Sequence, residues 1–191
     1  AVWAADRRPG SSAARQGVLG RGCSMVSGGG RFGRLGRHGR LWRGGLDSIQ
    51  AGVIGSRSTE WPELVGRLLR MGLIDAASVR AVEHLWWFGR LIANTDMHLG
   101  NLSFHVDRTL RLAPTYDMLP MAYAPLPGGE VPPRDFTPAL PLPPQRTAWL
   151  ASCAIAIDFW TEAASDTRIS EPFRGICRAN ATRLRDVAAK V

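Results

Sequence analysis

Hydrophobic and polar positions change rhythm near residue 57. Upstream, residues 1–56 are dense in Gly, Arg and Ser and hold no sustained period of 2 or 3.6. Gly-Arg recurs every three residues at Gly30-Arg31, Gly33-Arg34, Gly36-Arg37 and Gly39-Arg40. Glycine at that density makes a stable helix or strand unfavourable, because each one loses so much backbone freedom on ordering. Downstream the texture is that of a folded domain. Trp61, Leu64, Val65, Leu68 and Leu69 share one helical face and predict a helix over 58–72. Ser58 or Thr59 is its expected cap, Pro62 falls in the first turn and Gly72 is the expected C′ residue.

A second helix is predicted from Asp75 as N-cap towards Asn94, with Val79, Val82, Leu85, Trp86, Gly89 and Ile92 inside. Trp86 and Trp87 read as core rather than as a stacking platform. Alternation then replaces helical spacing in 101–106 and 109–114, which predicts a hairpin turning at Asp107-Arg108. The proline-dense stretch 124–147, with Gly128-Gly129, reads as loop or polyproline II. An apolar helix is expected over 149–164 and a turn over 166–169. A last helix follows, capped by Ser170 and containing Phe173, Ile176, Cys177, Leu184 and Val187. The fold class is therefore mainly α with a small β-hairpin. The chain divides into an Arg/Gly-rich, disordered or degenerate segment (1–56) and a folded domain (57–191).

Composition changes the picture in two places. The formal charge of +8 over 191 residues is lopsided, since ten arginines in residues 1–60 face only Asp6, Asp47 and Glu60. The basicity thus belongs to the first segment, which permits a nucleic-acid-binding role for residues 1–56 through phosphate contacts. The cysteines, Cys23, Cys153 and Cys177, contain no CxxC pair and read as small buried apolar residues in a reducing cytosol. No apolar window is long enough for a membrane span, and no signal-peptide h-region is seen. The expected location is cytoplasmic, away from membranes.

The candidate chemistry lies in 91–104 and 112–120. Asp96, Asn101 and Asp117 fall within one short strand-turn-strand unit, and the Asp-x-x-x-x-Asn spacing matches a protein-kinase catalytic loop. In such a set one carboxylate orients the attacking hydroxyl and takes its proton, while an amide and a second carboxylate hold magnesium. Turn residues with solvated or capping side chains also satisfy this spacing. His98 is placed either to contact phosphate or acceptor hydroxyl, or to hydrogen-bond within the loop.

The wording around these acids goes further. NTDMHLGNLSF at 94–104, followed by LAPTYDMLP at 112–120, closely resembles the HipA-like serine/threonine kinases. It is most similar to the branch that carries its own helix-turn-helix, and the likeness extends from about Arg57 to Arg174. The resemblance implies a kinase-like C-lobe of the HipA C-terminal type, in a toxin–antitoxin setting. It implies ATP and Mg²⁺ as cofactors, a protein substrate, and a DNA-binding antitoxin-type partner. Asp96 would be the catalytic base, Asn101 and Asp117 the metal residues, and Asn94 and His98 loop supports. RFGRLGRHGR at 31–40 is similar to a family segment in which Phe32 would approach the adenine of the cofactor, although Gly33 stands where the family has Asp.

A kinase also needs a glycine-rich loop and a strand lysine, and the chain's only lysine is Lys190. The expectation is a C-lobe whose N-lobe is missing, a truncated fragment with little or no activity of its own. Two alternatives stand beside it: a non-catalytic nucleic-acid-binding module using residues 1–56, and a small-molecule kinase.

Overall fold

The computed structural model describes residues 42–106, 108–130 and 133–191. Phe32, the Gly-Arg repeats and Asp107 of the expected turn lie outside the described residues. The elements run β1 (Trp42–Gly45), α1 (Leu46–Ile49), a single π turn (Gln50–Ile54), α2 (Trp61–Arg70), α3 (Ala76–Leu91), β2 (Ser103–Val106), β3 (Leu110–Leu112), α4 (Arg146–Ser165) and α5 (Glu171–Ala188). The architecture is mainly helical with one small antiparallel sheet.

The sheet has three strands in the order β1-β2-β3, one more than the hairpin pattern predicts. Leu110–Leu112 pairs back on Phe104–Val106 as the alternation implies, and Trp42–Gly45 adds to the other edge of β2. Residues 42–54 thus fold against the domain instead of sharing the character of the Arg/Gly-rich region. Leu46 is fully buried, Ile49 nearly so, and the Leu46 N–H donates to the Leu102 carbonyl at 2.8 Å. This segment is illegible locally because Gly44 and Gly45 carry no side-chain pattern. Its order comes from main-chain pairing with β2 and from two apolar side chains.

α2 is amphipathic: Trp61, Leu64, Val65 and Leu68 are wholly buried, whereas Leu69 is 39% exposed. Neither Ser58 nor Thr59 caps it. Glu60 occupies the N-cap without a side-chain hydrogen bond, and the Ser58 hydroxyl accepts from the Glu60 N–H instead, forming a local turn. The C-terminus follows expectation. Gly72 takes φ +71°, its N–H reaches Leu69 O at 2.9 Å, and Leu73 N–H reaches Leu68 O at 3.0 Å. This is a Schellman motif, in which glycine meets no Cβ penalty.

α3 is the spine. Asp75 caps it, accepting from the Ser78 N–H at 2.6 Å. Val79, Val82 and Leu85 join one core with α1, α2, Leu102 and Phe104. Trp87, Phe88, Leu91 and Ile92 join a second core with α4 and α5. A helix buried on two sides shows a broad apolar surface rather than one stripe, which is why its periodicity is blurred. Trp87 is core as expected, while Trp86 is only partly buried and packs at the seam between the two cores.

α4 and α5 lie together and supply Trp149, Cys153, Ala156 and Trp160 from one face and Phe173, Cys177, Ala181 and Leu184 from the other. The Trp160 indole donates to the Leu91 carbonyl at 3.0 Å, so even the last exposed carbonyl of α3 is satisfied inside the core. Ser170 sits at the α5 N-cap without a side-chain cap bond. Burial pushes the Cys153 and Cys177 thiols up to about 11, which agrees with small buried residues. No helix among the described residues is long and apolar enough to cross a membrane.

Candidate active site

The site begins where α3 stops. Asn94 N–H reaches back to Gly89 O at 2.9 Å, and Ala93 between them takes φ +59°. This is again a Schellman turn, with alanine where glycine is usual. The left-handed residue is pinned from outside, because its carbonyl accepts the Ala122 N–H at 3.0 Å. The turn reverses the chain and directs Asn94 inward, leaving it 7% exposed.

Asn94 then joins two loops. Its Oδ1 accepts the Asp96 N–H at 2.9 Å, and its Nδ2 donates to the Asp117 carbonyl at 3.1 Å. Asn101, 4% exposed, donates from Nδ2 to the Asp96 carbonyl at 2.6 Å. The Tyr116 hydroxyl donates to the Gly100 carbonyl. These contacts hold 94–101 and 116–117 as one unit by main-chain anchoring. The carboxylates of Asp96 and Asp117 are left on exposed residues, with no side-chain hydrogen bond or ion pair among the described residues. Asp117 takes φ +56°, and it and Ala93 are the two non-glycine left-handed residues among the described residues. Both flank this site, as backbone strain at functional positions does.

Gly89 permits the arrangement. A Cβ there would come within 2.5 Å of Met97 Sδ and 3.1 Å of Met118 Cε. Both loops therefore rest on a notch in the helix surface. His98 is exposed, makes no side-chain hydrogen bond among the described residues, and lays its ring over Gly100, 3.0 Å from where a Cβ would stand. Within the loop the ring packs on Gly100.

A cleft of about 680 Å³ opens beside this unit and is lined by Asn94, Asp96 and His98. Asn101 and Asp117 do not line it. The cleft brings in residues that sequence reasoning missed: Trp86, Arg90, Tyr123, Arg134, Asp135 and Phe136. Trp86, Arg90 and Asn94 are spaced by four, so helical spacing alone could have placed the first two beside the loop. Arg134 and Phe136 come from the proline-rich stretch and have no local signal. Phe136 is carried there by its burial against Trp160 and by Arg183, which donates to its carbonyl. Tyr123 forms part of the floor. Burial pushes its phenol up, outweighing the Asn180 amide that donates to it at 2.8 Å, so it stays neutral.

Among the described residues no group of three or more His, Cys, Asp or Glu side chains is placed to hold a metal. An amide–carboxylate pair such as Asn101 and Asp117 is a different donor set. Asn101 Nδ2 is committed to Asp96, which leaves Oδ1 as its acceptor, and the Asp117 carboxylate is unengaged. Hard oxygen donors of this kind, few in number with remaining positions for water and phosphate, suit magnesium.

Residues 58–185 match the HipA-like C-terminal domain, and the chain belongs to that family. It is also 40% identical over 162 residues to Toxin YjjJ of Escherichia coli (strain K12), a match covering 84% of this chain and 36% of that protein's length. The chain thus spans well under half the length of the curated relative it matches.

Proposed function

We propose that the 94–117 unit is the catalytic loop and metal-binding turn of a serine/threonine protein kinase that transfers the γ-phosphoryl of ATP to a protein hydroxyl. The observation carrying this reading is the Asn94 clamp. One buried amide holds the Asp96 loop and the Asp117 turn together, the two parts that phosphoryl transfer must position jointly. Asp96 accepts a hydrogen bond from the acceptor hydroxyl and takes its proton as the oxygen bonds to the γ-phosphorus and ADP departs. Its carboxylate is suited to this because the loop is held by main-chain atoms and leaves the side chain free. Asn101 and Asp117 would hold Mg²⁺, which supplies charge neutralisation at the phosphates. Lys190 does not line the cleft beside Asp96.

The test is Mg-ATP binding to the 191-residue chain by thermal shift. Ligand at one hundred times Kd adds about 2.7 kcal/mol if it binds only the native state. A shift that requires Mg²⁺ and disappears in Asp117→Asn, while Asp96→Asn retains it but loses acceptor phosphorylation, supports the reading. A shift unchanged by Asp117→Asn, or independent of Mg²⁺, overturns it.

A further inference from the structure

The cleft beside Asp96 carries two guanidinium groups without an anionic partner among the described residues. Arg90 lies 5.4 Å from the Trp86 ring centroid and 5.9 Å from that of Trp87. It makes no hydrogen bond or ion pair among the described residues. Stacking on two indoles holds the planar group in place while its N–H donors remain available. Arg134, from residues 133–139, is exposed and likewise has no hydrogen bond or ion pair among the described residues. The other charged or titratable groups lining the cleft are Asp96, His98, Asp135 and the neutral Tyr123. Neither Asp96 nor Asp135 comes within ion-pairing distance of either arginine. Asn101 and Asp117, the residues suited to metal and nucleotide, are outside the cleft, so its volume is open to the acceptor.

We infer that this cleft is the acceptor-docking site, and that Arg90 and Arg134 select an acidic polypeptide segment around the hydroxyl that Asp96 receives. The inference rests on the phosphoryl-transfer reading for the role of Asp96. The recognition itself is charge complementarity: a carboxylate pairs in bidentate fashion with a guanidinium fork, and a stacked arginine loses little freedom in doing so. An extended segment suits the geometry, since the two arginines stand on different segments, one on α3 and one in 133–139, with Asp96 at the same opening.

The experiment uses a fluorescein-labelled peptide with a central serine flanked by two glutamates on each side, and its counterpart with lysines. Fluorescence anisotropy with the 191-residue chain is expected to show binding of the acidic peptide at least about tenfold tighter than of the basic one, weakening with salt. Arg90→Gln and Arg134→Gln each weaken it several-fold, and Arg90→Lys recovers part of the loss. Equal affinity for the two peptides, no binding of the acidic one, or indifference to both glutamine variants overturns the inference. So does displacement of the peptide by stoichiometric Mg-ATP, which would make the cleft a phosphate site. Mg-ATP thermal shift on the same variants separates the two ideas. Acidic-peptide selection without any Mg-ATP shift removes the phosphoryl-transfer reading while leaving the cleft's recognition intact. A Mg-ATP shift without peptide selection does the reverse.

Discussion

Asn94→Ala removes one side chain that makes a local hydrogen bond to the Asp96 N–H and a cross-loop one to the Asp117 carbonyl. Each such bond contributes a net ~0.5–1.5 kcal/mol, so the pair is worth roughly 1–3 kcal/mol. Asp96 and Asp117 are exposed residues, which places the loss in the lower half of that range. The expected destabilisation is about 1.5 kcal/mol, a fall in Tm of roughly 3–6 °C for a domain of this size. Urea unfolding followed by tryptophan fluorescence measures it, with an unchanged m-value as the check that compactness is preserved. Thr95→Ala is the control: Thr95 is exposed and makes no hydrogen bond among the described residues, so its change should stay within about 0.5 kcal/mol. Asn94→Asp keeps the acceptor, loses the donor and sets a carboxylate against the Asp117 carbonyl, so it should lose more than Asn94→Ala at neutral pH. The clamp also predicts that Asn94→Ala weakens Mg-ATP binding although Asn94 is not a metal residue. If Asn94→Ala matches Thr95→Ala in stability, the amide does not join the loops and the reasoning fails.

Other predictions test the frame around the site. The Asp75 carboxylate is held below its ordinary value of 3.8, chiefly by the Ser78 N–H and then its hydroxyl. A depressed folded value means stability that is present above the unfolded pKa and lost as pH falls through the folded one. Asp75→Ala should therefore lower Tm at neutral pH, with the gap to the parent closing below about pH 4; a gap constant with pH refutes the cap's charge dependence. The Trp149 indole donates to the Ala139 carbonyl at 2.8 Å and fastens the segment that forms one cleft wall. Trp149→Phe should cost about 2 kcal/mol and speed tryptic cleavage after Arg134; unaltered cleavage would mean the indole does not fasten that wall. Cys153 and Cys177 are buried, with thiols raised to about 11. Both should react with a disulfide reagent only as fast as the domain opens, and mapping either label at the mixing time would contradict their burial.

Much of this protein is determined by local sequence. Helix α2 follows from Trp61, Leu64, Val65 and Leu68 at helical spacing and from Gly72 as the one residue that meets no penalty at φ +71°. Helix α3 follows from Asp75, and the hairpin from alternation. These signals are readable because each lies within a few residues of the structure it causes. Asp96, Asn101 and Asp117 stood out as residue types at a spacing. Their arrangement did not. Asn94, Asn101 and Tyr116 act through main-chain groups up to 23 residues away, and a spacing rule cannot say which carbonyl an amide will meet.

Tertiary structure alone decided three things. It ordered residues 42–54, whose glycines carry no pattern and whose strand exists only because β2 offers a free edge. It kept Asn101 and Asp117 off the cleft that Asp96 lines. It also brought Arg134 and Phe136 from the proline-rich stretch to the cleft that Arg90 lines. Among the described residues that stretch pairs with no strand, and Trp149, Trp160 and Arg183 fasten it to the core. Local patterns choose elements because neighbouring side chains share one backbone geometry; a cleft is made by surfaces distant in sequence, and only packing brings those together.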